Sequence, residues 1–210
     1  MKEKLKIGIL ISMTTITAYA DNSGFYVGVG SGINQTMNSN MKYEYNANNQ
    51  PTVQNLGNVT ENSTPLSLDV GYKFNNFLAA ELLYSYSGNQ NYSSNNGTFW
   101  GSQNILALDA VGFFPILSNV YIKGRLGIAG YKSNLTNYVG NPNTTSLTSS
   151  LGAGIEYRFI KNIALDFDFI NYGLINPVNL QYQPCNNCQN IGSAGTQQTN
   201  LYLLSLQYYF

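Results

Sequence analysis

Apolar and polar side chains alternate with a period of two along eight stretches of this chain. In residues 163–169, one face carries only Ile, Leu and Phe, while the other carries Asp166 and Asp168. A β-strand points successive side chains to opposite sides, so each stretch predicts a strand with one apolar face. The predicted strands lie at about 24–33, 65–74, 77–87, 104–114, 120–131, 148–159, 163–173 and 200–210. Each has about ten residues, the length that a tilted strand needs to cross hydrocarbon.

The connections between these strands alternate between short and long. The short ones are Asn75-Asn76, Pro115–Asn119 and Phe159–Asn162, and the long, Asn-rich ones are about 34–64, 88–103, 132–147 and 174–199. In an up-and-down barrel, alternate connections meet at the same rim, so all the short turns share one rim. Outer-membrane barrels have this asymmetry, with short turns in the periplasm and long loops outside. The pattern therefore predicts an all-β fold, an eight-stranded antiparallel up-and-down transmembrane β-barrel with four extracellular loops.

The charged residues indicate which face of the barrel points inward. Ten charged residues lie in the eight strands, all on the face opposite the apolar side chains: Asp69, Lys73, Glu81, Asp109, Lys123, Arg125, Glu156, Arg158, Asp166 and Asp168. Each base would cost roughly 2–4 kcal/mol if it faced lipid near the midplane. Small residues such as Gly152 and Gly154 share the charged face, which suits the narrow lumen of eight strands. The charged face is therefore predicted to line the lumen.

Buried charge persists only when it is paired, so we predict an interior ion-pair network that plugs the lumen. Adjacent strands make two groups of neighbours: Lys123 and Arg125 beside Glu156, and Arg158 beside Asp166 and Asp168. Two interpretations stay open. The network either only fills the core, or its pairs exchange to gate a narrow, low-conductance channel. A wide diffusion pore is not expected, because porins need about 16 strands.

Aromatic residues are concentrated near both predicted rims. Those near the short-turn rim are Phe25, Phe74, Phe77, Phe114, Tyr157, Phe159, Tyr208 and Phe210. Those near the long-loop rim are Tyr84, Tyr86, Trp100, Tyr131, Tyr172 and Tyr202. Aromatic rings favour the headgroup region of a bilayer, so these residues predict two girdles.

Residues 1–20 predict a cleavable secretory signal peptide. Three lysines precede an apolar run over 7–18, and Ala18-Tyr19-Ala20 is a cleavage site of the small-x-small type. The mature chain, 21–210, is then expected to be one outer-membrane β-barrel domain. It carries seven bases and nine acids, a net charge of −2, and gives no reason to expect nucleic-acid binding.

The chain lacks histidine, which removes the most common general base and argues against an enzyme. Cys185 and Cys188 lie in the last long loop of a chain that is expected to be exported, so we predict a disulfide between them. A zinc site needs four ligands, and this motif offers two. No metal and no cofactor are expected.

The segments Gly24–Gly30 (GFYVGVG) and Leu206–Phe210, together with the strand pattern, resemble the small eight-stranded outer-membrane β-barrel family of the OmpA transmembrane domain, OmpX, Ail and the opacity proteins. The alternating C-terminal strand, with Tyr208 and Phe210 on one side, resembles the signal by which such barrels are recognised for assembly. The resemblance implies a location in the outer membrane of a Gram-negative bacterium. It also implies three partners: membrane lipid with lipopolysaccharide, the barrel-assembly machinery, and a host or surface ligand at the loops.

For function, the resemblance favours a surface protein that acts as a structural scaffold, an adhesin or a host-interaction protein through its extracellular loops. The OmpA resemblance also implies the alternative of a narrow channel gated by interior ion pairs. A soluble periplasmic ligand-binding barrel is the third hypothesis, since period two alone does not exclude it.

Overall fold

The structure, a computed structural model, describes residues 23–47, 50–94, 97–136, 143–181 and 193–210, with side chains for 23–39, 60–88, 101–134, 145–179 and 196–210. The described residues form ten strands: β1 (Gly24–Ala47), β2 (Gln50–Ser63), β3 (Leu66–Lys73), β4 (Leu78–Ser94), β5 (Gly97–Leu117), β6 (Val120–Thr136), β7 (Asn143–Ile160), β8 (Ile163–Tyr172), β9 (Val178–Gln181) and β10 (Ser193–Tyr209). Within these residues, no helix is long and apolar enough to cross a membrane.

The ten strands build an eight-stranded wall, because two wall strands are each interrupted once. β3 and β2 pair with successive parts of β1, and Pro65, which has no backbone N–H to donate, stands between them. β8 and β9 likewise pair with successive parts of β10, and Gly173 between them has a φ of 98°. The sheet closes where β1 pairs antiparallel with β10, from Tyr26 opposite Tyr209 to Ser39 opposite Thr196. The predicted eight-stranded antiparallel barrel is confirmed.

The three short turns lie where the sequence predicted them, at one rim of the barrel. In the turn between β3 and β4, the side-chain Oδ1 of Asn75 accepts hydrogen bonds from the backbone N–H groups of Phe77 and Leu78, at 2.8 and 2.9 Å. Such a side-chain cap explains how a turn of this length is stabilised. This turn has four residues, 74–77, and the turns between β5 and β6 and between β7 and β8 are tighter, with two residues each, 118–119 and 161–162.

The strands extend further at the opposite rim than the sequence analysis predicted. β1 continues to Ala47 and pairs with β2, so most of the segment predicted as the loop 34–64 is a β-hairpin. Strand also covers most of 88–103 and the described parts of 132–147, and it occupies 178–181 and 193–199 of the last segment. The prediction ended these strands too early, because both faces are polar there and the period-two hydrophobic signal disappears.

The outer face of the wall is an apolar band. On β1, this band runs from Phe25 to Ile33, which is about the nine residues that a tilted transmembrane strand needs. Within the band, Leu108 on β5 is 55% exposed and Leu126 on β6 is 60% exposed. In water such a surface would be unfavourable, so its natural solvent is lipid.

Exposed aromatic side chains lie at both ends of the apolar band, but the prediction for the long-loop rim was wrong at two positions. Tyr84 and Tyr86 are exposed there, whereas Tyr131 and Tyr172 are fully buried in the lumen. The alternation itself contained this information. Tyr131 is in phase with Lys123 and Arg125, and Tyr172 is in phase with Asp166 and Asp168. The side chain of Trp100 lies outside the described ones.

Candidate functional site: the lumen

The lumen near the short-turn rim is filled by the ten charged side chains that the sequence analysis singled out, called the charged layer below. Its members are Asp69, Lys73, Glu81, Asp109, Lys123, Arg125, Glu156, Arg158, Asp166 and Asp168. Nine of them are buried, and the side chain of Arg158 is 18% exposed. The inward-facing phase of each strand therefore brings together residues that are up to about one hundred positions apart in the sequence.

Arg125, on β6, is the centre of the charged layer. Its Nη2 donates to Glu81 Oε1 at 2.6 Å and to Asp168 Oδ2 at 3.2 Å. Its Nη1 lies 3.6 Å from Asp109 Oδ2. One guanidinium thus serves three carboxylates on three different strands, which its planar shape with five N–H donors permits.

Lys123, two residues before Arg125, pairs with Asp166 and Asp168. Its Nζ lies 3.2 Å from Asp168 Oδ2, so Asp168 is shared by Lys123 and Arg125. Both acids are on β8, although β7 stands between β6 and β8 in the wall.

Two glycines on β7 make this crossing possible. Gly154 is opposite Lys123 and Gly152 is opposite Arg125 in the β6–β7 register. A Cβ at Gly154 would overlap the carboxylate of Asp168, and one at Gly152 would lie 2.7 Å from Cγ of Arg125. Without side chains at these two positions, the long bases of β6 lie over β7 and reach β8.

The partners therefore differ from those that strand adjacency suggested. Neither Lys123 nor Arg125 forms an ion pair with Glu156 in the described part of the chain. Arg158 does not pair with the acids of β8 either. Its Nε donates to Glu156 Oε1 at 2.6 Å, two residues away on the same face of β7. Neighbouring strands did not predict the ion-pair partners correctly, because long side chains reach across a narrow lumen to strands that are not adjacent.

Three polar side chains that the sequence analysis did not single out complete the charged layer. Tyr26 Oη donates to Glu81 Oε2 at 2.8 Å, and Tyr209 Oη lies 2.5 Å from Glu156 Oε2. Gln207 Nε2 donates to Asp69 Oδ2 at 3.3 Å. Their position in phase with the inward residues of β1 and β10 was the available signal.

A different kind of filling lies on the long-loop side of the charged layer. This apolar layer consists of Leu83, Ile105, Ala107, Ala129, Tyr131, Ile170, Tyr172, Val178, Leu201 and Leu203, all buried. Beyond it, Asn34 Nδ2 donates to Ser87 Oγ and to Gln103 Oε1, both at 2.9 Å. The described lumen is thus closed by three successive kinds of packing: ionic, apolar and amide.

The remaining predicted site residues lie at the chain's end or outside the described residues. Tyr208 and Phe210 project from the outer face and are 46% and 74% exposed, with ring centroids 5.1 Å apart. Their assembly role stays a prediction. Cys185, Cys188 and the predicted signal peptide, 1–20, lie outside the described residues. No cluster of metal-ligating side chains occurs among the residues that the structure describes.

The model of the OmpA-like transmembrane domain family matches residues 20–200 of the chain. No curated protein matches it in sequence. Among solved structures, Neisserial surface protein A (NspA) is similar with a TM-score of 0.60 and 14% identity, over 90% of this chain and 98% of that one. Ail, the attachment invasion locus protein of Yersinia pestis, solved with the heparin analogue sucrose octasulfate, has a TM-score of 0.53 and 14% identity, over 90% and 99%. The outer membrane protein OprG from Pseudomonas aeruginosa has a TM-score of 0.54 and 11% identity, over 90% and 97%.

These similarities agree with the geometry of the lumen and of the outer face. An apolar band surrounds a closed wall, and the charged layer lies inside it. The family model covers most of the chain, and the solved structures share the fold. The chain belongs to the OmpA-like transmembrane domain family and is a β-barrel of the outer membrane of a Gram-negative bacterium.

Proposed function

We propose that this protein is a surface scaffold whose barrel stays closed and whose polar hairpins bind a host or surface ligand. The observation that carries the proposal is the contrast between a filled lumen and strands that continue beyond the apolar band. A filled lumen does not transport solute by itself. A rigid barrel that carries extended polar segments is the usual way to present a binding surface.

The hairpins are long enough to reach beyond the bilayer. On β1, the apolar outer face ends at Ile33, and the strand continues to Ala47 in pairing with β2. At about 3.4 Å per residue, this part of β1 spans on the order of 40 Å along the strand. β4 and β5 extend in the same way, and their pairing continues as far as Ser94 opposite Gly97. We expect these hairpins to stand outside the cell, since short turns face the periplasm in such barrels.

The chemistry of the long segments favours an uncharged or weakly charged ligand. The four segments together contain two bases, Lys42 and Lys132, and two acids, Glu44 and Glu61. Y. pestis Ail was solved with a heparin analogue. Binding of a highly sulfated glycan relies on clusters of bases, and this chain lacks such clusters in its long segments. We therefore expect contacts through amide, hydroxyl and aromatic groups.

A hairpin deletion tests the proposal. Residues 38–59 are replaced by a two-residue Asn-Gly turn, which shortens the β1–β2 hairpin and leaves the wall intact within the apolar band, Phe25 to Ile33 on β1. Cells that display the full chain are expected to adhere to host-cell or glycan surfaces, and cells with the shortened variant to adhere less. Heat-modifiable gel mobility of both variants verifies folding. Equal adhesion by the two folded variants, and by a matching deletion in the β4–β5 hairpin, would contradict the proposal.

The alternative function is a narrow channel. Arg125 has three carboxylate partners, and an exchange among these ion pairs is the rearrangement that a gate would need. The apolar layer argues against it, because ten buried side chains close the path beyond the ions. Planar-bilayer recording separates the two functions. A scaffold stays closed in the wild type, in Arg125→Ala and in Arg158→Ala, whereas a gated channel changes conductance. We also propose that the protein is not an enzyme, since the chain offers no histidine for acid–base chemistry.

A further inference from the structure

Lys73 is the only base of the charged layer whose charged group forms neither an ion pair nor a hydrogen bond among the described residues. The residue is 2% exposed, and its Nζ is buried without a hydrogen-bond acceptor. Three aromatic rings surround it: Nζ lies 4.2 Å from the centroid of Phe113, 5.5 Å from that of Tyr209 and 5.7 Å from that of Tyr121. Cation–π contacts stabilise a desolvated cation by less than the desolvation of an unpaired buried charge costs. The rings alone therefore do not balance this charge.

A second cation, Arg158, packs against two of the same three rings. Arg158 Cζ lies 4.2 Å from the centroid of Tyr121 and 4.9 Å from that of Tyr209. Its Nε is bonded to Glu156, but its Nη2 is buried and has no acceptor within the described chain. Two like charges with free donors thus share one aromatic cage at the short-turn rim. Glu156 supplies one carboxylate at this cage for two cations, so the cage keeps a net positive charge that favours a further anion.

A cavity of about 170 Å³ opens at this point. Lys73, Arg158 and the exposed Lys161 line it, together with Tyr209 and two phenylalanines, Phe25 and Phe210. One water needs roughly 10–15 Å³ by the same measure, so the cavity accommodates a tetrahedral oxyanion. No carboxylate side chain is among the described residues that line it, and Glu156, which bonds Arg158 Nε and Tyr209 Oη, lies behind these two residues.

The two phenylalanines indicate where such an anion comes from. Phe25 is 60% exposed and Phe210 is 74% exposed, both on the outer face at the level of the short turns. In barrels of this kind, this rim lies at the inner, periplasmic leaflet. The cavity thus connects the luminal cations with the surface that lipid headgroups contact.

We propose that this basic pocket binds a phosphate group, held by Lys73, Arg158 and Lys161, and that the phosphate is carried by a phospholipid of the inner leaflet. Phosphate provides several strong acceptors, and charge-assisted hydrogen bonds to it are the strongest kind that these donors form. Free inorganic phosphate has the same chemistry and is the second source that the experiment distinguishes.

The test uses the full folded protein in a maltoside detergent, in a buffer without phosphate, with heat-modifiable gel mobility as the readout of unfolding. Inorganic phosphate is expected to raise the unfolding midpoint, and chloride at matched ionic strength is not. Phosphatidylglycerol is expected to raise it at far lower concentration, and diacylglycerol with the same chains, which lacks the phosphate, is not. A response to inorganic phosphate alone would keep the site and overturn the lipid as its source.

Three variants connect the response to the pocket. Lys73→Gln is expected to need about tenfold or more phosphate for the same shift, the effect of one lost charge-assisted hydrogen bond. Lys161→Gln, at an exposed turn position that does not endanger folding, is expected to need about threefold more. Lys132→Gln, an exposed base on the outer face of β6, is the matched control and is expected to respond like the wild type.

The proposal is overturned if the wild type responds to neither phosphate-bearing additive. It is also overturned if Lys161→Gln and Lys73→Gln respond like Lys132→Gln. Should Lys73→Gln fail to fold, Lys161→Gln and retention of phosphatidylglycerol by the wild type in native mass spectrometry still decide the outcome.

Discussion

The two halves of the lumen solve the same packing problem with different chemistry. Near the short turns, ten charged side chains fill the barrel together with a small apolar cluster of Tyr26, Ala79, Val111 and Phe113. Towards the long hairpins, ten buried side chains of the apolar layer fill it. The change takes one inward position on β4 and on β8. On β4, Glu81 is followed by Leu83, and on β8, Asp168 is followed by Ile170.

The two layers differ in whether their stabilising interactions depend on direction. The charged layer depends on specific atoms that meet at hydrogen-bond distance, and a missing partner leaves an ion unpaired in a dry interior. The apolar layer depends on volume, and a missing side chain leaves a cavity. We therefore expect the charged layer to be the less tolerant of change.

The largest loss is expected from Arg125→Ala, which leaves Glu81, Asp109 and Asp168 without their shared cation. Removing one partner of a buried pair costs about 3–5 kcal/mol, and here three carboxylates lose the same partner. Urea unfolding in lipid vesicles measures the free energy of unfolding. Lys132→Ala, an exposed base on the same strand, is the control and is expected to change it by less than about 0.5 kcal/mol. Similar losses for the two variants would show that the charged layer contributes little to stability.

Leu203→Ala is expected to have the next largest effect, at about 2–4 kcal/mol, because Leu203 is buried in the apolar layer and its removal leaves a cavity. The matched control is Leu204→Ala, the neighbouring residue on the outer face, which is 52% exposed. Lipid tails are as apolar as leucine and fill the space, so this change is expected to cost about 1 kcal/mol or less. If Leu204→Ala proved as costly as Leu203→Ala, the assignment of inner and outer faces on β10 would be contradicted.

Gly154→Ala is expected to cost about 1–3 kcal/mol through overpacking. The added methyl group would overlap the carboxylate of Asp168 and displace the acceptor that Lys123 and Arg125 share. Gly124→Ala is the control, since a Cβ there has no atom within 4 Å. The same unfolding measurement distinguishes them. A neutral Gly154→Ala would indicate that the bases do not need an open path across β7.

The wall of the barrel was predictable because its signal is repeated at every second residue. Because one face of each strand is apolar, hydrophobic residues recur at every second position over eight strands. The short turns at Asn75-Asn76 and at Phe159–Asn162 mark where strands end. The hairpins were not predictable in this way. Beyond Ile33, both faces of β1 are polar, and pairing there is supported by backbone hydrogen bonds, which leave no hydrophobic pattern in the sequence.

The members of the charged layer were also predictable, whereas their partners were not. Phase along a strand determines which side chains point inward, but it does not tell how far a long side chain reaches. The partners of Lys123 and Arg125 depend on Gly152 and Gly154 on an intervening strand. Tyr131 was misplaced for a simpler reason: its residue type, which suggested a membrane girdle, was given more weight than its phase.

A matched pair of tyrosine substitutions compares the two layers with the smallest change in volume. Tyr26 Oη donates to the carboxylate of Glu81 at 2.8 Å in the charged layer, and Tyr131 Oη lies 3.2 Å from the hydroxyl of Thr199 at the apolar layer. Because hydrogen bonds to charged groups contribute about 1.5–3 kcal/mol and neutral ones about 0.5–1.5 kcal/mol, Tyr26→Phe is expected to be the more destabilising by about 1 kcal/mol. Both rings stay in place, so the difference in unfolding free energy reports the charge of the acceptor. Equal losses would mean that hydrogen bonds to ionic and to neutral acceptors contribute equally to stability in the lumen. The two halves would then differ in composition but not in the strength of these bonds.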